Sequence, residues 1–159
     1  MIENALLKML EGDRFYADLL MRLRRVYTNK IPTAAVSLEA GGTLYINPEF
    51  WEANAGSQVQ FLIHESLHLL FDHIGRAKES GGTPLFNVAA DLAINCMIRG
   101  FPNSGIVQGK QAVFATVENY NQALAAAGKP TMEPNRAYEY YYEFLKEHGQ
   151  SDDGSGQPM

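Results

Sequence analysis

His64-Glu65-Ser66-Leu67-His68 stands inside a run that carries Val59, Phe61, Leu62, Ile63, Leu67, Leu69, Leu70, Phe71 and Ile74. The apolar residues recur at helical spacing and surround the polar ones on nearly every side, so the segment reads as a central, buried helix. It starts near Gly56-Ser57, with Ser57 as N-cap, and ends around Gly75-Arg76. Residues four apart on an α-helix lie one above the other. His64 and His68 can therefore turn two imidazole nitrogens toward one metal ion. Glu65 projects about 100° round the helix from His64. From there it is poorly placed as a third ligand but can reach a water beside the ion and act as general base. Two ligands and a base on one helix make the H-E-x-x-H pattern of metal-assisted hydrolysis. The competing reading is a pair of core histidines with Glu65 in a salt bridge. Burying two imidazoles and a carboxylate without partners is costly, and one cation relieves that cost for all three.

A zinc site that does chemistry needs a third protein ligand and an open position. Asp91 is the first choice. It lies in a second apolar helix, Phe86-Asn87-Val88-Ala89-Ala90-Asp91-Leu92-Ala93-Ile94-Asn95, where an ionised carboxylate needs a cation or donors. Asn87, Asp91 and Asn95 are spaced by four and form one polar stripe. Ala89, Ala90 and Ala93 are small enough for close helix packing. The alternative for Asp91 is a polar seam, hydrogen-bonded to the asparagines and a tyrosine.

His73 is the rival ligand. It comes five residues after His68, whereas H-E-x-x-H-x-x-G-x-x-H places glycine and histidine where Phe71 and Ile74 stand. If the helix continues, His73 lies about 180° from His64 and faces away. Asp72 shares the metal face but sits about 12 Å along the axis from His64, so it suits a hydrogen bond to His68. Asp72, His73, Asn87 and Asn95 are thus candidates for supporting the ligands. Glu133, Glu139 and Glu143 are weaker candidates for the third ligand.

With 159 residues and 46% hydrophobic content, the chain is expected to form one domain over residues 1–148, followed by a disordered Ser/Gly/Asp-rich tail, 149–159. No stretch is apolar enough to span a membrane, and no signal peptide is read at Met1-Ile2-Glu3-Asn4. The single cysteine, Cys96, fits a reducing, cytoplasmic compartment and leaves zinc ligation to histidine and carboxylate. A net charge of −5 argues against nucleic acid. The one basic cluster, Arg22-Leu23-Arg24-Arg25, reads as a solvated helix face.

Along the chain, residues 3–28 read as one or two helices broken near Gly12-Asp13. Alternation on both sides of Gly41-Gly42 predicts a β-hairpin near 34–46, and Asn47-Pro48 can open a helical turn through Trp51. The second apolar helix is expected over 85–99, stopped by Gly100 and Pro102. An irregular connection follows, with a short strand at Gly105-Ile106-Val107. Late helices are expected near 114–127 and 135–147, with Tyr138, Tyr141, Tyr142 and Phe144 packing the core. The fold class is α+β, mostly helical with a small sheet.

Four segments also carry a family resemblance: Tyr45-Ile46-Asn47-Pro48, the His64–His68 motif with His73 and Arg76, Asn87–Asn95, and Ala137–Leu145. In this order they resemble the metallopeptidase-type domain at the N-terminus of von Willebrand factor A-like bacterial and phage proteins. The resemblance implies a zincin-like fold, zinc-dependent peptidase activity and a von Willebrand factor A-type partner domain in longer relatives. It supports Asp91, because the aspartate of N-x-A-x-D-x-x-x-N recurs there. The chain departs from the longer members by ending before any von Willebrand-type domain.

The expected function is peptide-bond hydrolysis at a Zn²⁺ site held by His64, His68 and Asp91, with Glu65 as base and a peptide or protein as substrate. The substrate is expected to lie extended along a sheet edge, the 43–46 strand. Asn95, Tyr45 and Tyr138 are unranked candidates for stabilising the oxyanion. The second reading is a non-catalytic zincin-shaped module whose zinc is structural or vestigial, and the third is an interaction domain without metal.

Overall fold

The computed structural model describes residues 1–71 and 83–148. The chain is mixed α and β, and its backbone clusters into two compact units: Met1–Phe71 with Ile106–Gln111, and Asp72–Gly105 with Ala112–Met159.

The first unit begins with α1 (Glu3–Gly12) and α2 (Arg14–Met21). Ala5, Leu6 and Met9 fall at helical spacing and are buried, as are Ala17 and Leu20 on the next helix. The helices break at Gly12-Asp13 as the sequence indicates. The helical reading does not hold to residue 28, because residues 24–27 form strand β1 (Arg24–Tyr27). Its partner is β3 (Thr43–Ile46), paired in parallel, with Arg24 opposite Thr43 and Tyr27 opposite Ile46. That pairing spans a sequence gap no local period reports, and it overrides the helical pattern continuing from α2.

The hairpin over 34–46 is present. Strand β2 (Ala34–Ser37) runs antiparallel to β3, from Ala34 opposite Ile46 to Ser37 opposite Thr43. The two are joined by a tight helical turn at Glu39–Gly41. Gly42 follows at φ 120°, a backbone conformation that favours glycine, and a Cβ there would stand 2.8 Å from Leu23 Cδ2, so the Leu23 side chain would have to shift. The sheet order β1-β3-β2 puts β3 in the middle. The 43–46 strand therefore has no free edge for substrate, and among the described strands the outer positions belong to β1 and β2.

Asn47 then caps α3 (Pro48–Ala53). Its Oδ1 accepts from Glu49 N (2.9 Å) and Phe50 N (3.2 Å), and its Nδ2 donates to Ile31 O (2.8 Å). Asn54 ties this region to Ile106 by donating to its carbonyl (2.8 Å) and accepting from its N–H (2.9 Å). Helix α4 (Gln58–Leu70) packs against α1, α2 and β2, which makes it central within this unit. The Phe50 and Phe61 rings meet at 4.9 Å.

The second unit is built on α5 (Pro84–Asn95), with Thr83 as N-cap accepting from Phe86 N. It ends at Asn95, short of the expected 99, and the chain turns at Gly100 with φ 75°. Helix α6 spans Val117–Ala126 and α7 spans Tyr138–Glu147, close to expectation. Helix α7 lies against α5, and Ala89 and Ala93 supply the small surface that lets Tyr141 and Leu145 approach. Burial of a side chain the size of Leu92 or Phe86 contributes roughly 2–3 kcal/mol. The expected strand at 105–107 belongs to β4 (Ser104–Val107), which pairs with β5 (Lys110–Val113), and residues 106–111 of this ribbon are counted with the first unit. Gln108 (φ 53°) and Gly109 (φ 75°) make the tight turn between them.

Candidate metal centre

The motif residues lie on α4, where spacing placed them. Ser57 stands before the helix but, against expectation, makes no side-chain capping bond. A 3₁₀ turn, Ala55–Ser57, leads directly into α4 instead. Phe61, Leu62, Ile63 and Leu67 are buried, and Ser66 donates its hydroxyl back to Leu62 O (2.8 Å), so it is consumed within the helix.

His64 and His68 are half-buried on the same face. Their Nε2 atoms stand 3.0 Å apart, with ring centroids at 4.6 Å and planes at 77°. Two nitrogens bound tetrahedrally to zinc at 2.0–2.1 Å would be separated by about 3.3 Å. The two rings therefore already present nitrogen ligand atoms at nearly that spacing. Glu65, one residue round the helix, is 7% exposed.

On α5, Asp91 is half-buried in a helix whose other side chains from Leu85 to Asn95 are buried, Asn87 excepted. Its charge is felt by Tyr120 on α6, whose hydroxyl is pushed up from its ordinary pKa chiefly by burial and then by the Asp91 carboxylate. The stripe Asn87, Asp91, Asn95 is not uniform. Asn87 is exposed, whereas Asn95 is buried and donates to Ala115 O (2.9 Å). His64 and His68 each offer a ring nitrogen within the first unit, and Asp91 offers a carboxylate oxygen within the second. Imidazole nitrogens and carboxylate oxygens are both donors that divalent cations accept.

Residues 1–159 match the model of a family described as "Putative metallopeptidase domain". The chain belongs to this family. No curated protein and no solved structure matches it. No helix among the described residues is long and apolar enough to cross a membrane.

For this metallopeptidase-family chain, the other sequence candidates distribute as follows. Asp72 and His73 lie outside the described residues, as does the 149–159 tail, while α4 itself ends at Leu70, short of the expected Gly75-Arg76. Glu133 is exposed and pairs with Arg136 (2.5 Å), and Glu143 is exposed within 3.9 Å of Lys146. Tyr45 donates its hydroxyl to Glu39 (2.5 Å), which raises its pKa. The Tyr138 ring packs edge-on against Phe86 at 5.2 Å. Tyr120, beside Asp91, escaped sequence reading. It sits among apolar residues at helical spacing, and nothing local distinguishes it from an ordinary core tyrosine.

Proposed function

We propose that the chain is a zinc-dependent peptidase of the zincin type, with His64, His68 and Asp91 as metal ligands and Glu65 as general base. The observation that carries this reading is the 3.0 Å separation of the His64 and His68 Nε2 atoms on a helix that also carries Glu65. Family membership supports it. A bound zinc supplies Lewis acidity, polarising a carbonyl and lowering the pKa of a water. Glu65 removes the proton from the attacking water and delivers it to the departing amine nitrogen, so its carboxylate is regenerated in each cycle. Its burial keeps bulk water from competing for that proton.

The substrate binds extended on the β2 edge. Asn47 N donates to Thr33 O (2.8 Å), and Ala35 and Ser37 follow at the same pleat phase toward β3. Ala34 and Val36 therefore turn their N–H and C=O groups outward, where a peptide can add as a further strand. Because α4 packs against β2 within the same unit, a peptide on that edge runs beside the helix bearing His64 and His68.

The test is elemental analysis of untagged protein combined with mass-spectrometric detection of cleavage in a peptide mixture, for wild type and Glu65→Gln. Zinc bound by both and cleavage by wild type alone is the expected result. Equal cleavage by both, or a folded chain that takes up no zinc when supplied, overturns the proposal.

A further inference from the structure

Among the described strands, β1 is paired on one side only, by β3. Arg24 N donates to Gly42 O (3.0 Å) and Thr28 N to Ile46 O (2.9 Å), so residues 24, 26 and 28 turn their backbone toward β3. Arg25 and Tyr27 turn theirs the other way, and no described strand pairs with them there. Residues 22–30, Arg-Leu-Arg-Arg-Val-Tyr-Thr-Asn-Lys, hold four cations and no acid in a chain of net charge −5. Arg25 lies 3.6 Å from Glu3. Arg22, Arg24 and Lys30 are exposed and form no ion pair among the described residues. Tyr27 is 39% exposed at the end of the strand.

Charged residues on an edge discourage pairing with another copy. Two β1 edges brought together would crowd arginines against arginines, which is unfavourable. An acidic segment in extended conformation reverses that sign and also completes the hydrogen-bond ladder. A nucleic acid would meet the charge but cannot satisfy alternating N–H and C=O groups. We propose that the β1 edge, residues 24–27, docks an extended acidic segment of a partner protein by strand addition. This surface is independent of Glu65 chemistry and stands or falls separately from it.

The test uses the full chain and a fluorescent eight-residue peptide of alternating Glu and Val, with three comparators: the Lys-Val peptide, the Glu-Val peptide N-methylated at alternate backbone nitrogens, and an eight-nucleotide oligothymidylate. Fluorescence anisotropy should show binding of the unmodified Glu-Val peptide only. Binding should weaken as salt is raised. The double variant Arg22→Glu/Arg24→Glu should weaken it at least about tenfold, with the circular-dichroism spectrum and melting temperature unchanged. Amide resonances of Arg25 and Tyr27 should shift more than those of Arg24 and Val26. No binding of the Glu-Val peptide, equal binding of its N-methylated form, preferential binding of the oligonucleotide, or amide shifts confined to other elements each overturns the proposal.

Discussion

The Nε2 atoms of His64 and His68 meet at 3.0 Å across one turn of α4. With no cation between them, the pair gains only one imidazole hydrogen bond. With a cation, both lone pairs are used. His64→Ala should therefore reduce zinc from about one ion per chain to near zero by elemental analysis. Wild type should also melt higher when zinc is supplied, by about 2.7 kcal/mol of added stability at a hundredfold excess over Kd. His64→Ala should lose that increment.

Asp91→Ala tests the third ligand. A group that merely orients a ligand costs about 10–100-fold in metal affinity when removed. Asp91→Ala should exceed that range in zinc competition titrations, while Asn87→Ala should leave affinity unchanged because Asn87 is exposed. Equal small effects from the two would reduce Asp91 to a member of a polar seam.

Glu65→Gln preserves shape and removes the base. Zinc content should stay at the wild-type level, and kcat should fall by about 10²–10⁴-fold. A fall in KM alone would contradict proton transfer by Glu65.

Asn47→Ala removes the cap of α3 and the bond from Nδ2 to Ile31 O. Urea unfolding should show a loss of about 2 kcal/mol. Asn47→Asp keeps the capping oxygen and should recover part of it.

Tyr141 is fully buried. Its hydroxyl donates to Glu133 O (2.8 Å), accepts from Arg136 N (3.3 Å) and lies 3.7 Å from Cys96 Sγ. Burial, foremost, pushes its pKa above the ordinary tyrosine value. In the unfolded chain a tyrosine ionises near pH 10. Below that pH both states keep the proton and the stabilisation is whole. As pH rises from there through the higher folded value, the unfolded state ionises first and stability falls. Tyr141→Phe should cost about 1 kcal/mol at neutral pH and flatten the alkaline limb of the stability profile measured by denaturant titration.

Several features were legible from local pattern alone. His64 and His68 need only a helix to share a face, and the apolar residues around them supply one. Asn47-Pro48 caps α3 through bonds spanning three residues. The hairpin over 34–46 is announced by glycines and alternation. The Ala89 and Ala93 positions mark where α7 can approach α5, and Tyr141 on that helix is core, as its spacing indicated. Asp91 was legible as a polar anomaly on an apolar helix, since an unexplained carboxylate is visible in one sequence.

Local pattern by itself determined the helices, the hairpin, the His-Glu-His face and the odd carboxylate, because each depends on residues within one or two turns of one another. Tertiary structure alone decided that 24–27 leaves the helical register to run parallel to β3, that β3 is thereby central and closed to substrate, that Asn87 faces solvent while Asn95 is spent on Ala115, and that Tyr120 lies beside Asp91. Those outcomes come from pairings between segments far apart in the chain. Their energy is gained only when both partners are present, so neither partner's own sequence records it.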